Sequence, residues 1–525
     1  MTYDILIKGG TVIDGTGQPQ FEGDIGIQDG RIRAIGALAS AGAKGEKIIE
    51  ASGKFVTPGF IDITNHGDKN WSLFQNPLQD HLLTQGVTTI LVGNCGTSLA
   101  PLPSREAISA LYKWNPPGFA INWLSLQELF QEIAQRRLGV NIGTLVGHGT
   151  IRRGILRGES RVLAKEELQQ FSAVVKKAMV EGAFGLSTGL IYSHEAAATR
   201  EELVVLARLL AEANGVYKTH LRHEGTNLVP AVIEAVDIGR ESRARIVISH
   251  FKAVGRKLWP FFKKALQIIE RASQEGANLR FDLFPYQRTG SFLYILLPTW
   301  ARQGGFAEIF QRLDDPNIRS SIAEDLKQQT LHYDRYIVAN SGTPGTNGRT
   351  ITEIAASSGT SAEETLFGLL EANHGRVMIF GRALSVQNIA TGIQHPLSVV
   401  ASNGNGVFAE QVKEGKLVHP RSTGAFPHFL HTFVKEKALL KWENAIRKIT
   451  SLPAEIVGFK ERGRIEPKFF ADITIFDPET IHDRSTYQNP YVHSVGIEAV
   501  IVNGQIAMEN GQLTGVAAGE VLKKS

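Results

Sequence analysis

The residues best equipped for chemistry are the single cysteine and a few histidines, each placed where a short apolar run breaks into small or polar residues. Cys95 lies in Gly93-Asn-Cys-Gly96 after the run Thr88 to Val92, His220 closes Gly215-Val-Tyr-Lys-Thr-His220, and His250 closes Arg245-Ile-Val-Ile-Ser-His250. A thiolate with two imidazoles suits zinc, and an open fourth position would let the metal lower the pKa of a bound water to about 7. Taken singly, a cysteine is more often a small buried hydrophobe and a histidine a satisfied polar group. At three strand ends together they gain weight, because the ends of parallel strands converge on one site. Pro58-Gly-Phe-Ile-Asp-Ile-Thr-Asn-His-Gly-Asp68 has the same form and offers His66 and Asp68 as ligand, base or ordinary loop residues. His148 ends another run, His223 and Glu224 follow His220, and Asp282 in Phe281-Asp-Leu-Phe-Pro285 is a candidate cap or orienting group. No phosphate-binding P-loop and no serine nucleophile elbow is present, so nucleotide hydrolysis and serine chemistry are unsupported.

The elements that must carry these residues read as strands alternating with helices. Strand-like runs are Phe60 to Ile63, Thr88 to Val92, Asn141 to Val146, Ala183 to Ser187, Val216 to Thr219, Ile246 to Ser249, Leu279 to Leu283, Val377 to Phe380 and Val399 to Ser402. That is one more than a closed eight-stranded barrel uses, so one of the last three belongs to an insert. Helices are expected over Leu163 to Val180, from Thr199 as N-cap with Glu202 three positions on, and near Glu436 to Ile449. Before about residue 57 the pattern is short alternating pieces punctuated by Asp14-Gly-Thr-Gly17 and Asp29-Gly30. β texture returns at Ala471 to Phe476 and Gly496 to Val502, followed by the turn Asn503-Gly504. The expected organisation is a small β domain from residues 1–57 plus 460–525, a barrel over 58–459, and an insert at about 291–350 that could act as a lid.

A length of 525 residues fits a large α/β barrel with an accessory domain, and 42% hydrophobic against 21% charged residues suits a compact soluble chain. The net charge is only +4 and no run of Lys/Arg is long enough for a nucleic-acid groove, so a small-molecule substrate is expected and nucleic acid is not. One cysteine leaves no intrachain disulfide, the first residues lack a signal-peptide pattern, and no membrane-length apolar run occurs; a cytoplasmic location is expected. Oligomeric state is not legible.

The motifs together resemble the N-acyl-D-amino-acid deacylases (D-aminoacylases) of the amidohydrolase superfamily. The matching pieces are Pro58-Gly-Phe-Ile-Asp62, Gln85-Gly-Val-Thr-Thr89, Gly93-Asn-Cys-Gly96 with Leu99-Ala-Pro101, Val146-Gly-His148, Gly185-Leu-Ser-Thr-Gly189, Thr219-His-Leu-Arg-His-Glu-Gly225, Ser249-His250 with Lys252, Pro285-Tyr286, His419-Pro-Arg421 with Phe426-Pro427, and Ala471-Asp472. The resemblance implies a (β/α)8 TIM-type barrel, flanked by a small β domain built from both chain ends and carrying an insert near the active site. It implies that Cys95, His220 and His250 hold zinc, with His66 beside them. The reaction would be hydrolysis of an N-acyl-D-amino acid to a carboxylate and a D-amino acid by water that the metal activates. Arg421 would grip the substrate carboxylate, with Lys252, Tyr286, Ser291 and, more weakly, Arg288 as further substrate-binding residues.

Three positions depart from the family pattern. Its His-x-His reads Thr64-Asn65-His66 here, its Ser-Asp-Gly reads Ser402-Asn403-Gly404, and a tyrosine before Pro285 is Phe284. An amide at 403 cannot accept a proton at neutral pH, and losing a general base costs on the order of 10²–10⁴ in rate. Thr64 and Asn403 fall together on the second, weaker metal position, a pattern that favours one zinc per chain. His66, Asp68 and His223 are then the candidates for a replacement base. A catalytically silent or altered-substrate barrel is the main alternative; a cyclic-amide hydrolase ranks lower, because Ala183 to Thr188 offers no lysine to bridge two metals.

Overall fold

A computed structural model describes residues 1–108, 120–329 and 331–524. Eight short parallel strands position the chemistry. Phe60–Asp62 pairs with Val87–Val92, which pairs with Asn141–Thr144; Val146–Gly147 continues that strand and pairs with Gly185–Gly189. Val216–His220, Arg245–Ile248, Leu279–Leu283 and Ser398–Val400 follow in order. Beyond Ser398–Val400 the chain pairs Gly404 with Asn65 and Asn405 with His66, which returns the pairing to its start. Such strands are covered on both faces, and so they read as near-continuous apolar runs. Their side chains Ile61, Leu91, Val216, Val247 and Val399 share one apolar cluster with Leu452, Val457 and Phe459.

The helices between strands follow their sequence signals. Lys165–Val180 buries Phe171, Val175 and Ala178, spaced four and three apart on one face. Arg200–Glu212 begins where the Thr199 hydroxyl accepts the Glu202 N–H at 3.1 Å. The helix expected over Glu436 to Ile449 is two elements: a π-helix Phe429–Glu436, then Trp442–Ile449. Between them Ala438 has φ 48°, a left-handed backbone that ends the first helix.

Strands from both chain ends form one nine-stranded sheet, in which Ile473–Phe476 pairs with Phe55–Pro58 and Lys44–Glu50 pairs with Thr2–Val12. Its hairpins turn at Asp29-Gly30 and Asn503-Gly504, with φ of 52°, 73°, 48° and 77° in sequence order, the doubly left-handed turn that Asp-Gly and Asn-Gly favour.

Of the nine strand-like runs, the one outside the barrel is Met378–Arg382. It lies in an antiparallel sheet between Arg288–Phe292 and Tyr336–Asn340. The body between barrel strands therefore runs to Arg382, beyond the end expected near Thr350, because its middle strand is its last in sequence. It has its own apolar cluster, including Leu293, Ile309, Leu326, Phe367 and Ile379. Among the described residues, no helix is long and apolar enough to cross a membrane.

Candidate metal centre and active site

Cys95 follows the strand Val87–Val92 on a loop that only small neighbours allow. A Cβ on Gly93 would lie 2.1 Å from the Leu145 carbonyl oxygen, and one on Gly96 would lie 1.9 Å from Glu195 Oε1. Cys95 itself has φ 54°, and His250 and Asn403 have φ 37° and 50°. Three non-glycine residues in a sparsely populated region, all at one site, indicate backbone held for function.

His220 ends Val216–His220 and His250 follows Arg245–Ile248, so adjacent parallel strands deliver both imidazoles beside the thiol. Cys95 Sγ is 3.3 Å from His250 Nε2, and the ligand atoms of Cys95, His220 and His250 all lie within 4.8 Å of one another. All three residues are buried, and His220 Nδ1 has no partner while its Nε2 has only the Glu224 carboxylate at 3.3 Å. A buried imidazole left unpaired in this way is costly unless an ion takes up a lone pair, so the donor set fits zinc. Burial alone would raise the Cys95 thiol, yet His250, His220 and His66 beside it hold it well below its ordinary value.

A second layer orients the ligands. Glu224 Oε1 lies 3.1 Å from His250 Nδ1 and 3.3 Å from His220 Nε2. With Nδ1 turned toward Glu224 and Lys252, His250 presents its Nε2 to Cys95. Lys252 donates to Glu224 and lies 2.8 Å from His250 Nδ1. Burial opposes ionisation of Glu224, but Lys252 and His220 hold its carboxyl well below the usual range. Asp282 Oδ1 accepts the His250 N–H at 2.7 Å.

His66, Asp68 and Asn403 sit on the opposite rim. His66 Nε2 is 2.8 Å from Asn403 Oδ1 and 3.9 Å from Cys95 Sγ, so this nitrogen is engaged by the amide and His66 stands outside the converging ligand set. Burial lowers its pKa to about 4. Asp68 accepts the Gly93 N–H at 3.0 Å with one oxygen and has no partner for the other; burial raises its carboxyl to about 6. His223 is less buried, and burial, then Arg302 and Arg222, lower its pKa.

These groups line one cavity of about 1970 Å³ between the barrel strand ends and the antiparallel body. Arg421, Lys252, Ser291 and Phe284 line it too; Tyr286 and Arg288 do not. The Tyr286 hydroxyl donates to Asp483 at 3.2 Å while its ring stacks on His428, and Arg288 bonds the Arg335 carbonyl. Both lie turned away from the pocket by these contacts, which no local sequence pattern announces. Arg421 stands 4.7 Å over the Phe284 ring with its Nε unpartnered, and burial lowers it to about 10.

The amidohydrolase family profile matches residues 312–508. An N-acyl-D-aspartate deacylase from Alcaligenes xylosoxydans xylosoxydans is 33% identical, covering 99% of this chain and 95% of that protein. The chain belongs to the N-acyl-D-amino-acid deacylase family of amidohydrolases. A crystal structure of N-acyl-D-glutamate deacylase from Bordetella bronchiseptica, complexed with zinc and a phosphonate mimic of the tetrahedral intermediate, superposes with TM-score 0.84 at 30% identity and covers all of both chains. A D-aminoacylase studied for one-metal activation and second-metal attenuation of its binuclear centre superposes with TM-score 0.84, also at 30% identity, over 99% of this chain and 100% of that one.

Set against its family's pattern, this chain has one buried residue that its sequence motifs did not single out. Lys218, two residues before His220 on the same strand, donates to Thr64 Oγ1 at 2.6 Å, Ser249 Oγ at 2.9 Å and Asp282 Oδ2 at 2.7 Å. Alternation along the strand was the available signal: it places position 218 on the same inward face as His220. His148 has another role than ligand, because Glu195 and Glu202 hold its two nitrogens at 2.7 and 2.8 Å.

Proposed function

We propose that this chain uses zinc, held by Cys95, His220 and His250, to hydrolyse the amide of an N-acyl-D-amino acid to a carboxylate and a D-amino acid. The observation that carries this reading is the convergence of those three side chains in the cavity where Arg421 has no anionic partner among the described residues. Zinc, when bound, supplies Lewis acidity to water and to the acyl carbonyl. Arg421 takes the α-carboxylate; Gly290 permits the approach, since a Cβ there would lie 3.2 Å from its Nη2. Asp68, ionised at neutral pH with one oxygen free, takes the proton from water and then returns it to the leaving amine. His66 and His223 are the alternatives for that proton.

The antiparallel body closes over the cavity as the specificity element of a catalytic unit at 58–459, with residues 1–57 and 460–525 as an accessory domain. Arg153 and Arg302 line the cavity, and neither forms an ion pair with a carboxylate among the described residues. Two such guanidiniums favour a substrate with a second negative charge, in keeping with the aspartate and glutamate in the names of two relatives. A thiolate ligand calls for a reducing compartment, which supports the cytoplasm. The test is amine release from paired N-acetyl-D- and N-acetyl-L-amino acids, with Cys95→Ala as control. Turnover confined to the D series, lost in the control and greatest for D-glutamate or D-aspartate, is expected. No release from any pair, with zinc bound, would favour the altered-substrate alternative.

A further inference from the structure

We infer that His419 is the positioning residue for Arg421: its imidazole ties the backbone of that arginine to the strand Arg288–Phe292 of the antiparallel body, so that one side chain sets both the body and the carboxylate grip. The inference rests on the reading of Arg421 above and deepens it by naming what holds the guanidinium in place. His419 is 3% exposed, and both of its ring nitrogens are partnered. Nδ1 takes the Arg421 N–H at 3.1 Å, and Nε2 lies 3.0 Å from the Arg288 carbonyl oxygen, 131 residues away in the chain. A backbone N–H can only donate and a carbonyl can only accept, so these partners fix a neutral ring with its proton on Nε2. Burial, then the Arg421 charge, hold the pKa of His419 well below its ordinary value, which keeps that one tautomer.

The ring is also caged. Phe284, Tyr286, Phe380 and Tyr487 meet it edge to face, with centroids 6.3, 5.3, 5.3 and 5.0 Å away. Phe284 and Tyr286 follow the barrel strand Leu279–Leu283, Phe380 lies on the body strand Met378–Arg382, and Tyr487 comes from the C-terminal segment. His419 opens the helix Arg421–His428 as well: its carbonyl accepts the Ser422 N–H at 2.8 Å while its ring takes the N–H of Arg421. Arg421 has little else to hold it. Its Nε has no partner, no carboxylate pairs with it among the described residues, and its neighbours are the Phe284 ring at 4.7 Å and Gly290. A Cβ on Gly290 would lie 3.2 Å from Arg421 Nη2 and 3.7 Å from His419 Cδ2. The strand that His419 holds is therefore the strand that bounds the guanidinium.

The experiment follows amine release by the zinc-loaded full-length enzyme from the N-acetyl-D-amino acid it hydrolyses fastest, in the wild type, His419→Phe, Arg421→Met and the double variant. His419→Phe keeps an aromatic ring in the cage and removes both hydrogen bonds. Its KM should rise about 10–100-fold with kcat changed far less and zinc content unchanged. Arg421→Met should show the same split, and the double variant should be no worse than Arg421→Met, because a residue that acts through another adds nothing once that one is gone. A merely structural role would multiply the two losses. A wild-type KM in His419→Phe, or multiplied losses in the double variant, would overturn the inference and leave the deacylase reading standing. An unchanged KM in Arg421→Met would overturn the carboxylate role of Arg421 and the inference with it, and no amine release by the wild type would overturn both readings. If His419→Phe does not fold, His419→Asn decides: its amide can accept the Arg421 N–H but is too short to reach Arg288, so its KM should also rise, and a wild-type KM would overturn the inference.

Discussion

His148 and His220 are both buried histidines at the ends of barrel strands, yet they are in opposite condition. The two nitrogens of His148 are clamped between Glu195 and Glu202, and Arg152 adds a contact to Glu202 at 3.1 Å. Burial alone would lower its pKa, but the two carboxylates raise it above its ordinary value within a buried ionic cluster. His220 has only the Glu224 carboxylate, 3.3 Å from its Nε2, and nothing at Nδ1. A buried polar group whose atoms are partnered needs no ligand to explain it; one left short inside a cavity beside other metal-binding side chains is a ligand candidate. The same test separates Lys218, whose three protons are all used, from Asp68, which has one idle oxygen.

The contrast can be broken most directly at the metal set. Cys95→Ala should leave the fold intact by circular dichroism, lose bound zinc by elemental analysis, and drop turnover to background. Asp68→Asn should lower kcat by on the order of 10²–10⁴. Because burial raises this carboxyl to about 6, the wild-type rate should fall as pH drops through 6, and the variant should lack that limb. Sign follows for stability too: with the folded value raised from 3.8, the contribution of the protonated form is complete below that pH and lost as pH rises through 6. Retention of both full rate and acidic limb would move the base to His66 or His223.

On the architectural side, His148→Leu leaves Glu195 and Glu202 buried with less to balance them and should cost about 3–5 kcal/mol in urea unfolding. Its zinc content should stay at the wild-type level; loss of metal without loss of stability would erase the distinction. The smallest effect belongs between the two classes. Glu224→Gln removes the carboxylate that orients both histidines and should weaken zinc by about 10–100-fold in competition with a chelator.

The barrel strands were readable because each is buried on both sides and must be apolar over a short span. The supernumerary strand was readable as a surplus, but its place was not. Met378–Arg382 resembles a barrel strand locally and is distinguished only by its antiparallel partners. The substrate residues divide in the same way. Arg421 reaches the cavity, while Tyr286, one residue from Pro285 in the same family motif, is drawn off by Asp483 and His428.

What the sequence by itself determined is the set of chemical types at strand ends: a thiol, two imidazoles and the three departures at 64, 284 and 403. Residue type and period are local properties, so they survive without coordinates. Tertiary structure decided which polar atoms remain unpaired, that Cys95, His250 and Asn403 are held left-handed, and that Lys218 answers Thr64 across 154 residues of chain. Pairing in a dry interior depends on distances between strands far apart in sequence, and those distances exist only once the barrel has formed.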